Sequence, residues 1–173
     1  TIEDSTLEIS YCNATVENYL TFDNVSGSLL HIHLNGYEFT IGSSTLDIID
    51  SRLALRSDIY IGSSKVTFYN SSIDALYIYT AYGNVTIKKC DLVFSSSYYG
   101  VRLGGAARLL DNTIRTLNSI AAVRIAGEDI VIRNNRVFGS IDFYGDSVNV
   151  VVESNIITAS KMHIAMEIRD KFV

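Results

Sequence analysis

The chain has 173 residues and a net charge of −5, enough length for one domain and a charge balance that argues against a nucleic-acid partner. Its apolar fraction of 47% allows a large core, yet no apolar run approaches the eighteen or so residues that a membrane helix needs. Proline is absent, which suits a stack of interior strands that each need every N–H. The sequence starts at Thr1 with no Met and no visible signal peptide, as expected of a processed or an excised chain.

In chain order, Leu7, Ile9 and Cys12 open a first round, and Leu20-x-Phe22 reads as a strand after it. Leu30, Ile32, Asn35 and Tyr37 fit a second round. From Leu46 the frame becomes regular: apolar, apolar two residues on, small or amide five on, apolar seven on. Leu46, Ile48, Ser51 and Leu53 fit it, as do Val66, Phe68, Ser71, Ile73 and Val85, Ile87, Cys90, Leu92. Ala107, Leu109, Asn112, Ile114 come next, then Ile130, Ile132, Asn135, Val137 and Val150, Val152, Asn155, Ile157. These starts lie 20, 19, 22, 23 and 20 residues apart, against 23 and 16 upstream of Leu46. Between them sits another alternating pair: Phe39-x-Ile41, Ile59-x-Ile61, Leu76-x-Ile78, Val101-x-Leu103, Val123-x-Ile125 and Ile141-x-Phe143. At the end, Ile164-x-Met166-x-Ile168 reads as a last strand.

Alternation over so few residues marks strands, because successive strand side chains point to opposite faces. Its recurrence every 19–23 residues predicts an all-β chain, a single parallel β-solenoid of about eight turns over residues 1–173, with regular register from about 40 to 170. At ~4.8 Å per stacked strand the rod would be ~40 Å long. Cys12 and Cys90 both fall at the corner position that Asn112, Asn135 and Asn155 occupy. About four turns apart, they lie beyond the ~7 Å reach of a disulfide and read as inert, buried thiols.

The segments VTIKKCDL, ARLLDNTI, IVIRNNRV and VVVESNII resemble the repeats of the right-handed parallel β-helix, the pectin-lyase-like family, over roughly residues 40–170. The resemblance implies right-handed coiling and corner ladders of Asn and Ser. It does not imply one activity, since the family spans lyases, hydrolases, tailspikes, adhesins and inert rods. A lyase of this family would carry clustered calcium-binding Asp residues and an Arg base. A polygalacturonase would carry Asn-Thr-Asp, Asp-Asp and Gly-His-Gly. None of these strings occurs. Glu128-Asp129 reads as a solvated turn. Asp142 and Asp146, weighed as a carboxylate pair across a glycosidic bond, have no aligned acid in neighbouring turns. His31 and His33 flank Ile32 on an expected strand and read as surface residues, as does His163, so no metal and no cofactor are expected.

The outward column of the intervening strand is more telling: Thr40, Tyr60, Tyr77, Arg102, Arg124 and Asp142. Stacked one turn apart, these would make a Tyr–Tyr contact, a Tyr–Arg contact and an Arg–Asp pair. One reading is ladder stabilisation. The other is an aromatic platform for sugar rings, helped by Tyr79, Tyr82, Tyr98 and Tyr99. Four sequons, at Asn13, Asn24, Asn70 and Asn84, are candidate glycosylation sites and point to an extracellular or cell-surface location.

Residues 1–60 hold nine acids against two basic residues, whereas residues 101–173 hold nine basic residues against eight acids. No capping helix is expected at either end. Leu7 and Ile9 at one end and Ile164, Met166 and Ile168 at the other would then favour end-to-end contact between copies. The leading expectation is therefore a non-enzymatic extracellular structural solenoid that self-associates. A carbohydrate-binding or carbohydrate-cleaving β-helix, or a segment of a larger adhesin or tailspike, are the alternatives.

Overall fold

The computed structural model describes residues 1–118, 121–145 and 147–158. Among them every regular element is a strand, and every strand pair is parallel. They stack as a β-solenoid of about eight turns, as the repeat predicts, but each turn has three strands and not two. The turn that starts at Thr45 shows the plan: Thr45–Ile49 on a first face, Arg52–Leu55 on a second, Ile59–Ile61 on a third. The first face is an eight-stranded sheet running from Thr6–Ser10 to Val148–Glu153. The other two faces belong to one fourteen-stranded sheet. They are joined because the early strands Asn13–Asp23 and His33–Gly42 each run round the corner between them. In the first of these, a register irregularity between Val16 and Tyr19 absorbs the bend.

The core follows from the alternation. Ile48 stacks on Phe68, Ile87, Leu109, Ile132 and Val152 in one inward column of the first face. Ile48, Phe68, Ile87, Leu109 and Ile132 are fully buried. At ~25 cal/mol per Å² of apolar surface, each such side chain contributes ~1.5–3 kcal/mol of burial. The second face adds Leu53, Ile73, Leu92, Ile114 and Val137, and the third adds Ile59, Ile78, Val101 and Val123.

The corner between the first and second faces takes two residues. The first adopts a left-handed backbone: Asp50 (φ 51°), Asn70 (φ 49°), Asp111 (φ 59°) and Asn134 (φ 58°). Asn and Asp tolerate that conformation better than other side chains do. The second residue turns inward as Ser51, Ser71, Cys90, Asn112, Asn135 and Asn155, and supplies the turn before it with a hydrogen-bond acceptor. Burial pushes the Cys90 thiol up to about 11, so it stays protonated, and neither cysteine is in a disulfide.

Upstream of Leu46 the structure corrects the sequence-based frame. Gly27 and Leu29, not Leu30 and Ile32, take the two inward positions beneath Leu46 and Ile48. The steps from Leu7 become 20 and 19 residues, as regular as the rest. Two exchanges concealed this. Glycine stands where an aliphatic residue is expected, because a Cβ at Gly27 would meet the Leu7 carbonyl oxygen at 1.8 Å. Ile32 stands at the corner where a polar residue is expected, its N–H donating to the Ser51 hydroxyl at 3.1 Å. His31 and His33 therefore flank a corner and not a strand position, and His31 stacks on Tyr11 with ring centroids 4.8 Å apart. The strand expected around Ile164, Met166 and Ile168, with Met162, His163 and Asp146, lies outside the described residues.

Candidate functional site

The third face carries the side chains with the most chemistry. Its outward column reads Thr40, Tyr60, Tyr79, Arg102, Arg124 and Asp142, each paired with the next by the strand register. Tyr79 stands where Tyr77 was expected. The strand in that turn is Ile78–Thr80, so Ile78 and Thr80 point inward and Tyr79 points out. Thr80 hid this register: it is a hydroxyl at a core position, 1% exposed, and accepts a hydrogen bond from the Gly104 N–H at 3.0 Å.

Tyr77 instead lies at the entrance to the third face, packed edge-on against Tyr99 at 5.2 Å. Its hydroxyl hydrogen-bonds Asp58, and burial followed by that carboxylate raises the tyrosine's pKa. Asp58 lies one turn after Glu38 and one turn before Tyr77. Its carboxyl is pushed above the usual range, chiefly by burial, with Glu38 adding to the push and Tyr77 opposing it. Sequence reading missed this aligned pair of acids because each stands immediately before the alternating pair of its turn, Phe39-x-Ile41 or Ile59-x-Ile61.

Along the column the contacts tighten from aromatic to ionic. Tyr60 and Tyr79 pack with centroids 5.4 Å apart. The Arg102 guanidinium lies 4.9 Å from the Tyr79 ring and 5.8 Å from that of Tyr144. Arg124 sits 5.4 Å from both Tyr99 and Tyr144 and pairs with Asp142 at 3.1 Å. Asp142 is thereby committed to an arginine and is poorly placed to serve as acid or nucleophile. Tyr98 and Tyr82 project from the edges of the face, 68% and 80% exposed. All eleven tyrosines except Tyr11 and Tyr69 lie on the third face or at its edges.

A groove of about 470 Å³ opens beside this column, within the usual size of small-ligand sites. Tyr79, Tyr82 and Arg102 form one wall and Glu128 and Asp129 the other, over a floor of Gly104, Gly105, Ala126 and Gly127. The floor is low because this corner changes residue type along the rod. Ser44 and Ser64 occupy it early, with the Ser44 N–H donating to the Ser64 hydroxyl. Further on glycines pass so closely that a Cβ on Gly127 would lie 2.2 Å from the Gly105 nitrogen. Asp129 holds a left-handed backbone and accepts a hydrogen bond from Asn149 at 2.9 Å. A smaller depression of about 320 Å³, around Asp4, Asn24 and Ser43, has no aromatic or cationic lining.

The sequon asparagines are all exposed. Asn24 and Asn70 donate their amides to Asp4 and Asp50, each at 2.6 Å, whereas Asn13 and Asn84 begin strands. Leu7 and Ile9 pack on the core from the first turn and remain partly exposed. Among the described residues no three His, Cys, Asp or Glu side chains converge as metal ligands, and no helix is long and apolar enough to cross a membrane. Comparison of the chain with known protein families, with curated proteins and with solved structures finds no match.

Proposed function

We propose that this protein is a non-enzymatic, extracellular or cell-surface β-solenoid of the pectin-lyase-like kind, whose third face recognises carbohydrate. The observation that carries the reading is the segregation of tyrosine. Nine of the eleven tyrosines lie on one of three faces or at its edges, and two of them, Tyr79 and Tyr82, line the groove with Arg102. Core packing does not explain it, because Tyr60, Tyr82, Tyr98 and Tyr144 are 39–80% exposed. Sugar rings present apolar C–H faces and hydroxyl edges, which suit tyrosine rings flanked by carboxylates and guanidinium groups. Catalysis is not part of the proposal: the corners are short, and Asp142 is held by Arg124.

Affinity electrophoresis through gels cast with plant, algal and bacterial polysaccharides tests it. We expect retardation in at least one gel, lost in Tyr79→Ala combined with Tyr82→Ala, with no release of reducing or unsaturated sugar. Unaltered mobility in every gel would count against sugar recognition, and released sugar would make the protein an enzyme.

A second reading, end-to-end association of rods, draws on the first turn. Thr6–Ser10 is hydrogen-bonded on one side only among the described residues, and Leu7, Ile9, Val16 and Leu20 are partly exposed there. Another copy seated on that end would continue both the core and the ladders. Sedimentation at increasing concentration, with Leu7→Asp as the control, separates rods that associate from rods that do not.

A further inference from the structure

Arg102 stands apart from the paired arginines of the rod. Arg115 pairs with Asp91 at 2.8 Å, Arg124 with Asp142 at 3.1 Å, and Arg133 with Glu153. Arg102 forms no ion pair or hydrogen bond among the described residues, and its Nε is shut off from water without an acceptor. Two π faces hold it, those of Tyr79 and Tyr144. The adjacent carboxylate in its own column, Asp142, is already taken by Arg124, one turn closer. Yet its side chain borders the groove, between Tyr79 and the glycine floor.

A guanidinium fixed by ring faces keeps its planar fork of donors in one orientation, and that fork matches an oxyanion better than it matches neutral hydroxyls. We propose that Arg102 receives a carboxylate or sulfate carried by a sugar that stacks on Tyr79 and Tyr82. This rests on the carbohydrate reading of the third face and narrows it to anionic glycans. The opposite wall adds direction. Glu128 and Asp129 repel an oxyanion and accept hydrogen bonds from hydroxyls, so the charged edge of the sugar lies toward Arg102 and its hydroxyl edge toward the acids.

Isothermal titration with three probes tests this: a uronic-acid oligosaccharide, a dextran sulfate oligomer and unmodified dextran. At least one charged probe should bind about tenfold more tightly than dextran, the difference expected of a charge-assisted contact. Arg102→Gln should abolish that preference, so that charged and neutral probes bind alike. Arg102→Lys, which keeps the charge but loses the fork, should lose most of it. Arg115→Gln, the same charge change on the second face, should leave it intact. Preference for the uronic-acid probe alone assigns a carboxylate, and preference for dextran sulfate alone assigns a sulfate. Equal binding of charged and neutral probes, or a preference that survives in Arg102→Gln or falls equally in Arg115→Gln, overturns the oxyanion site but not sugar recognition by this face. Failure of all three probes to bind overturns the oxyanion site, while sugar recognition as such is decided by the polysaccharide gels.

Discussion

The corner between the first and second faces is built in two ways in this rod, from serine at Ser51 and Ser71 and from asparagine at Asn112, Asn135 and Asn155. Ser51 and Ser71 each accept one backbone N–H from the turn before and donate to a carbonyl of their own turn. Asn135 does more: its Oδ1 accepts both the backbone N–H and the side-chain amide of Asn112 at 2.9 Å. Its own amide in turn donates to the Leu109 carbonyl at 2.8 Å and to Asn155 at 2.9 Å. The backbone requirement at the serine and asparagine corners is the same, an acceptor for one buried N–H of the turn before. The amide meets it and also ties three successive turns together, whereas a hydroxyl ties two. Cys90 marks the junction, its N–H accepted by the Asn112 side chain.

The largest perturbation sets the scale for that comparison. Ile132→Asp places an unpaired carboxylate in the dry column beside the asparagine ladder and should cost more than about 4 kcal/mol. Soluble protein with unchanged circular dichroism and melting temperature would contradict the proposed core. Asn135→Ala comes next. It takes the acceptor from the Asn112 N–H and side-chain amide and the additional donor from the Leu109 carbonyl, at ~2 kcal/mol for the buried N–H left without a partner and the lost amide contacts. Because solenoid turns couple to their neighbours, hydrogen exchange should accelerate first in the turns of Asn112 and Asn155.

Ser71→Ala breaks the other half of the comparison more gently, at ~1 kcal/mol, because one N–H, that of Ser51, loses its acceptor. If chemical denaturation finds the serine and asparagine variants equally damaging, the extra amide bonds contribute nothing. The smallest effect is a titration. Neither ladder ionises at ordinary pH, so a pH dependence must come from elsewhere, and Asp58 is one source. Its folded pKa is raised, so burying the ionised carboxylate destabilises the fold fully above that pKa. The penalty fades as pH falls through the raised value toward the unfolded one near 3.8. Asp58→Asn should therefore stabilise the protein at neutral pH and flatten its stability profile over that window, as read by melting temperature across pH.

Much of the rod was legible without coordinates, since a period of two marks strands wherever one side faces a core and the other faces water. From Leu46 onward, alternation and the corner amides are enough to align six turns residue by residue. The frame failed where one side chain departed from its role. Gly27 removes a core side chain to make room for the Leu7 carbonyl, and Ile32 puts an aliphatic residue at a polar corner. Thr80 hides a core position behind a hydroxyl, so Tyr77 took the place of Tyr79 in the outward column.

What the amino-acid order determined by itself is the repeat: the fold class, the approximate turn count, the column that runs from Ile48 to Ile132, and the Arg124–Asp142 pair that follows from stacking one turn on the next. Those are contacts between residues at equivalent places in successive repeats, and a constant spacing predicts them. The tertiary structure decided everything that joins unlike places in the repeat. The third strand per turn, the meeting of Arg124 with Tyr99 and Tyr144, and the groove beside Arg102, which takes residues from the third face and from the corner after it, are of this kind. A corner's angle depends on which residue adopts the left-handed backbone and on how closely neighbouring glycines pass, and a one-dimensional period does not record either.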